Sequence, residues 1–523
     1  MTLGYTTLLI PVLSGNGDSE FSLGPEGISW IGSVALICVP FGCFLSGMIT
    51  QPLGRKRSMQ LINIPFMASW LLFYFSTKIW HVFAALALSG LAGGLMEAPV
   101  LTYVAEVTQP HLRGVLSSTS SMSVISGSMI QFILSTFLKW RTVALCSAVV
   151  PIFSFCLLYV IPETPTWLVS KKRYKEAKES LAWLRGWVEI EKVDKEYKEL
   201  FAHIQMSRGI GNSGFQLDNG QMQGNVNGEI NKTRNETNQN RKRTKTETLK
   251  LFKKRNFIRP YLLVSYTFFL SHFNGMSPVQ TYAVTIFSSL KAPIDEYYAT
   301  ALLGIVEFFG CVSCVCLLRH IGKRVLSFIS LIATAICFLV IGLYSYFFHI
   351  NTLLENKNSN TTVSNSTVHP ENVLKDSHEY SWVPLVLIIS AAFVSHMGIR
   401  VLPWILTGEM FPNETRAIAS GITATSYYIF GFVCNKVFLS MINTFTLPGT
   451  FWFYSSMSFI GFIVLYFILP ETEGKTLQEI TDHFAGKSSL GNKVYKRRKN
   501  ITGINNEAFN DNTSRRTDIE SKL

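Results

Sequence analysis

Six ionisable side chains sit inside otherwise apolar stretches: Glu97, His272, Glu307, His396, Arg400 and Lys436. Such groups are expensive in hydrocarbon, rarely face lipid, and mark binding sites, relays or counter-charges. Lys436 lies near the end of its stretch, where a long stem can carry the ammonium to the headgroups, so it reads as an anchor. Glu97 and Glu307 beside the single Arg400 leave one negative charge over. Three uses stay open. Arg400 pairs with one acid while the other is protonated and inert; a carboxylate binds hydroxyls or carries a proton; or the spare charge recognises a cation. Around these lie Asn274, Ser277, Gln280, Tyr282, Trp404, Tyr427 and Tyr428, with Ser121 in another stretch. Donors, acceptors and ring faces together suit a hydroxyl-rich solute, because each buried hydroxyl left unpaired costs about 1–3 kcal/mol.

The elements that must hold these groups follow from composition. Charged residues make up 15% of the 523, against about 25% in soluble domains. Mean hydropathy is +0.25, which argues against a multidomain soluble enzyme and against a disordered chain. A spanning helix needs about 20 apolar residues. Eleven stretches qualify: 28–50, 58–77, 80–105, 115–138, 141–161, 260–287, 298–318, 325–348, 382–407, 417–442 and 450–470. A twelfth, Met1 to Leu13, is too short, and is expected to be the second half of a first span. The fold class is therefore an all-α membrane protein: a bundle over 1–161 whose first span is incomplete, a polar linker over 162–259, a second bundle over 260–470, and a basic tail over 471–523. Tyr174, Ala177, Leu181 and Leu184 predict a short helix in the linker. The stretch 207–245 is Asn/Gly/Gln-rich and then basic, a composition that predicts disorder; its basic run reads as solvated, with no nucleic-acid partner.

Thirty-nine of the 47 Lys and Arg fall on the side that would carry the linker and both termini, which places that side in the cytoplasm. The loop 349–381 then lies outside, and it holds two glycosylation sequons, at Asn360 and Asn365. All nine cysteines fall in apolar stretches. Cys311, Cys314 and Cys316 cluster without other ligand types and read as helix-packing residues, so no metal and no cofactor is expected. No phosphate-binding Gly-rich loop, HExxH or GxSxG is present, which leaves an enzyme or an ATP-driven pump without a motif.

Three signals recur. Gly54-Arg55-Lys56 returns as Gly322-Lys323-Arg324, Glu106 with Arg113 as Glu409 with Arg416, and Pro162-Glu163-Thr164 as Pro470-Glu471-Thr472. A duplicated six-span unit with a mid-membrane site between the copies is a common build of secondary transporters. These motifs, with Tyr103, Pro165 and the run Pro470 to Leu477, resemble the sugar porter family of the major facilitator superfamily. Within it they are most similar to the group of arthropod facilitated trehalose transporters. The resemblance covers about residues 1–484.

It implies two pseudo-symmetric six-helix bundles moving a trehalose- or hexose-like sugar by alternating access, without an energy source, as a plasma-membrane monomer in the bilayer. It implies a latch on the cytoplasmic side in which Arg55, Arg113, Arg324 and Arg416 engage Glu106, Glu163, Glu409 and Glu471. It also places His272 where the family has a sugar-reading glutamine, Glu307 where it has an asparagine, Ser121 where it has a glutamine, and Arg400 where it has a glycine. Trp404 is kept. These departures leave two alternatives standing: a proton-coupled or cation-recognising transporter of another polar solute, and a membrane sensor that binds without transporting.

Overall fold

A stretch of apolar chain in a bilayer must satisfy its backbone polar groups internally, and a helix does so within one segment. The computed structural model describes residues 1–16, 22–108, 113–207, 255–350, 353, 380–411, 416–475, 477–487 and 490–491, and they are helical nearly throughout. The expected disorder at 207–245 falls outside this set except for Ser207, which closes a helix. Asn360 and Asn365 fall outside it too.

The first bundle contains α1 (Thr2–Pro11), α2 (Pro25–Ile31), α3 (Val34–Leu53), α4 (Arg55–Tyr74), α5 (Ile79–Val107), α6 (Arg113–Phe137) and α7 (Trp140–Val160). The linker begins with α8 (Pro165–Ser170), α9 (Tyr174–Leu184) and α10 (Asp194–Ser207). The second bundle contains α11 (Arg255–Phe273), α12 (Met276–Thr281), α13 (Ala283–Ser289), α14 (Glu296–Ile321), α15 (Lys323–Phe347), α16 (Trp382–Met397), α17 (Leu402–Glu409) and α18 (Arg416–Ile468). α19 (Leu477–Ala485) follows and packs on α11. Among the described residues, seven helices are long and apolar enough to cross a membrane. The other spans are short, broken or joined. α18 holds two of them, turning at Thr446, where φ is 64°.

Helices can approach only as closely as their side chains permit, and glycine removes that limit. Gly90 and Gly94 lie one turn apart on α5. A Cβ at Gly90 would stand 2.2 Å from the Ala35 carbonyl oxygen, and one at Gly94 would stand 2.1 Å from that of Val39. Gly42 of α3 faces Gly94 in the same seam. The backbones of α3 and α5 are in direct contact there.

Two chain breaks shape the middle of the second bundle. Gly275, at φ 89°, ends the run of α11, and a Cβ there would strike the Tyr454 ring at 2.7 Å. The chain also unwinds between α16 and α17, where the Ile399 N–H donates to Ser330 Oγ (3.1 Å). Pro403 at the start of α17 lacks an N–H to continue the ladder. His272 and Asn274 flank the first break, and Arg400 sits in the second.

The bundles meet along α6 with α14, α2 and α3 with α18, and α1 with α12 and α13. At the face opposite the linker, here called the far face, one apolar cluster runs through both. It joins Tyr5, Leu9 and Ile28 to Tyr282, Phe287 and Phe438. In the linker, α8, α9 and α10 close over Trp167, Leu181 and Tyr197. Hydrogen bonds from Lys178 (2.7 Å) and Lys198 (2.9 Å) hold the Asp194 carboxyl down to about 2, favouring its charged form.

Candidate functional site

Three groups meet at the centre of the second bundle. The Gln280 Nε2 donates to Glu307 Oε2 (2.9 Å), and Arg400 Nη2 donates to Gln280 Oε1 (3.1 Å). Arg400 Nη1 also donates to the Ser271 carbonyl (3.2 Å). Only this orientation of the amide serves both charges, since a guanidinium has no acceptor and an ionised carboxylate no donor. Of the three uses left open by the sequence, direct pairing of Arg400 with an acid is not what the structure shows. Among the described residues Arg400 forms no ion pair, and an amide stands between it and Glu307.

Glu307 is fully buried, and among the described residues its Oε1 has no hydrogen-bond partner. His272 is 3% exposed; Nδ1 meets Ser277 Oγ at 3.0 Å, and among the described residues Nε2 makes no hydrogen bond of normal geometry, with the Tyr427 backbone nearby. Two buried polar atoms are thus left without hydrogen bonds, which native interiors avoid unless something else supplies the partner. Beside them stands an aromatic wall: Trp404 on Phe268 (5.1 Å between ring centres), Trp404 on Tyr427 (5.0 Å) and His272 on Tyr427 (4.4 Å).

The other candidates hold the frame. Asn274 Nδ2 donates to Ser395 Oγ (2.8 Å) while its Oδ1 accepts from the Met276 N–H (3.1 Å), pinning the break at Gly275. The Tyr282 hydroxyl donates to the Asn435 carbonyl (3.3 Å). His396 is turned to the Ala392 carbonyl of its own helix (3.0 Å). Glu97 does not join Glu307. It accepts from the Tyr428 hydroxyl (3.3 Å), a contact between the bundles, and both line a cavity of about 330 Å3 with Phe66 and Met96. Ser121 lies in α6, but its side chain is outside the described residues, as are those of Arg113 and Arg416.

Lys436 is not the lipid anchor its position suggested. Its ammonium donates to Ser29 Oγ of the first bundle (2.8 Å) and sits 4.3 Å over the Trp30 ring. Asn435 Nδ2 reaches the Gly32 carbonyl (3.2 Å) and Thr281 Oγ1 (3.1 Å). Together these clasp the far face. Lys436→Met removes the hydrogen bond and the cation–ring contact, about 1–2 kcal/mol together. Reaction of Ser33→Cys, a buried position whose hydroxyl donates to the Ser29 carbonyl (2.6 Å), with a membrane-impermeant maleimide should rise several-fold. An unchanged rate would show that the clasp does not hold the far face shut.

At the linker face the repeated motifs build two matching networks. Gly54 and Gly322, at φ 95° and 89°, turn the chain into α4 and α15. Glu163 then accepts the Arg55 and Lys56 N–H groups (3.0 and 3.1 Å), and Glu471 accepts those of Lys323 and Arg324 (3.2 and 3.0 Å). Each carboxylate satisfies orphan donors at a helix start, where the dipole also favours it. Arg55 pairs with Glu106 (2.8 Å). In the second copy the ion pair belongs to Lys323, on Glu409 (2.7 Å) and Glu473 (2.9 Å).

Arg324 was expected in that role. It instead donates to the Tyr466 carbonyl (2.5 Å) and lies 5.4 Å from the Phe328 and Tyr466 ring centres. The missed signal was register: the first residue after the glycine carries the pair in both halves, Arg55 in one and Lys323 in the other. Both described networks lie within a bundle, not between bundles. Closure of the linker face by charge across the interface is not seen among the described residues.

The model of the "Sugar (and other) transporter" family matches residues 22–217 and 213–484. The facilitated trehalose transporter Tret1 of Polypedilum vanderplanki is 27% identical over 483 residues, 92% of this chain and 84% of that one. The Bombyx mori protein of the same name is 26% identical over 503 residues, 95% and 86%. A partially occluded, inward-open structure of the xylose transporter XylE from E. coli superposes with a TM-score of 0.65, at 17% identity, over 91% of this chain and 95% of that one. That likeness carries the two-bundle fold of the major facilitator superfamily and nothing finer. A match that runs through both halves and most of the linker's helices makes this chain a member of the sugar (and other) transporter family.

Proposed function

We propose that the protein carries trehalose or a hexose-like sugar across the plasma membrane by facilitated diffusion, as a monomer, with the linker and both termini in the cytoplasm. The observation that carries the solute reading is the pair of buried, unpartnered atoms, Glu307 Oε1 and His272 Nε2, beside the Trp404–Tyr427 wall. A sugar offers hydroxyls to both atoms and an apolar ring face to the aromatics. His272, Asn274, Ser277, Gln280, Tyr282, Glu307, Arg400, Trp404 and Tyr427 form the site in this reading. Glu97 and Tyr428 extend it through the neighbouring cavity at the bundle interface, and Ser121 is assigned to it by its position on α6. The networks at Arg55, Glu106, Glu163, Lys323, Glu409 and Glu471 brace each bundle, and Arg113 and Arg416 complete the gate between them. The excess of Lys and Arg on the linker side supports the sidedness.

The test is uptake of radiolabelled trehalose and glucose into proteoliposomes, with choline for comparison. Saturable sugar uptake that an imposed pH gradient leaves unchanged is the expected result. Choline uptake without sugar uptake, or binding without flux, overturns the reading. One observation favours a second reading, proton coupling: Glu307 is a buried acid that, among the described residues, no cation touches directly. Uphill sugar uptake driven by external acid is its signature.

A further inference from the structure

α12 is held from two directions. On its backbone side the first bundle grips it: Thr7 Oγ1 of α1 donates to the Gln280 carbonyl (3.0 Å), and Asn435 ties Thr281 Oγ1 (3.1 Å) to the Gly32 carbonyl (3.2 Å). On its side-chain side Gln280 alone bridges Arg400 and Glu307. α12 is six residues long and lies between breaks at Gly275 (φ 89°) and Tyr282 (φ −105°, ψ 19°). A segment so short, bounded by a turn at each end, can shift only as a unit, so its backbone and side-chain contacts are tied together. The residue that meets the opposite bundle with its backbone therefore meets the buried charges with its side chain.

We propose that Gln280 is the positioning residue that couples closure of the far face to the buried Arg400–Glu307 charges. With α12 docked on α1, the amide lies between guanidinium and carboxylate and satisfies both. When the far face opens, α12 leaves Thr7, the amide withdraws, and the two charges lose their shared partner. The docked state is thereby stabilised by charges that never touch the interface. The bridge adds to the docked state only while both charges are present. The inference rests on the two-state transporter reading and is independent of which solute is carried.

The experiment uses the full-length protein with Ser33→Cys as reporter, in sealed cells or right-side-out vesicles, reacted with an impermeant maleimide and counted against the chain without the added cysteine. Gln280→Met keeps the volume and removes both hydrogen bonds. Labelling should rise at least about tenfold, the equilibrium shift that even one of the two lost charge-assisted hydrogen bonds implies for the docked state. Gln280→Ala should do the same.

The same two substitutions are then made with Glu307→Gln and Arg400→Gln together. With no charges to bridge, labelling should change less than about twofold. Unchanged labelling in Gln280→Met overturns the proposal. An equal rise with and without the charges also overturns it, since the amide then acts by packing alone. Melting temperature in detergent, read for every variant, separates loss of the fold from a shift between states. Failure of sugar uptake would remove the solute reading and leave these labelling results standing.

Discussion

Lys323→Met should be the most damaging single change at the linker face. Lys323 is 3% exposed and is shared by two carboxylates, Glu409 and Glu473, themselves 31% and 22% exposed. Removing one member of a buried ion pair strands the rest, a loss of about 3–5 kcal/mol when the remaining charge is dry. The two acids keep some water, so the expected loss sits at the low end, about 3 kcal/mol. Glu409 also loses support for Thr472 Oγ1, which donates to it at 3.2 Å. Thermal unfolding in detergent measures the outcome. Lys323→Arg should retain most of the stability, because the charge remains.

Arg324→Met is the informative contrast. It gives up a carbonyl contact and two ring contacts but strands no carboxylate, so the loss should be clearly smaller. If the two substitutions are equally damaging, the assignment of the ion pair to Lys323 is wrong.

The second large effect is expected at Glu307. Glu307→Gln keeps the volume and leaves an oxygen to accept from Gln280, but the free oxygen can no longer form a charged hydrogen bond with a solute hydroxyl. Such a bond is worth about 1.5–3 kcal/mol, and its loss weakens sugar binding by roughly 10- to 150-fold. His272→Phe keeps the stack on Tyr427 and removes Nε2. The expected loss is about 2- to 13-fold, because a neutral hydrogen bond is lost. Glu97→Gln, at the other acid, should shift the apparent affinity much less. The apparent KM for trehalose uptake, taken with a binding isotherm on the purified protein, separates weaker binding from slower turnover. Affinity unchanged in both central variants would show that the two unpartnered atoms do not meet the solute.

The spans were legible because the bilayer imposes a length and a polarity that sequence displays directly: 323–347 was expected as 325–348, and 140–160 as 141–161. The duplication was legible in the Gly-x-x, Glu and Pro-Glu-Thr motifs. Partnership between side chains was not. Spacing put Glu307 and Arg400 in one bundle but could not reveal that Gln280, from a third helix, would stand between them. Nor could composition distinguish Lys436 as a lipid anchor from Lys436 seated on Trp30, because both need only a cation near a span end. The break at Gly275 escaped for a similar reason. An apolar run with an internal glycine reads as one helix until the crowding around Gly275 is seen.

The glycine seam has a consequence for which parts of the molecule can bend. Where Gly90 and Gly94 press backbone to backbone against Ala35 and Val39, sliding one helix past the other would drive a carbonyl oxygen through a Cα. α3 and α5 are therefore locked to one another along this seam, and any rearrangement of the first bundle must carry the two helices together.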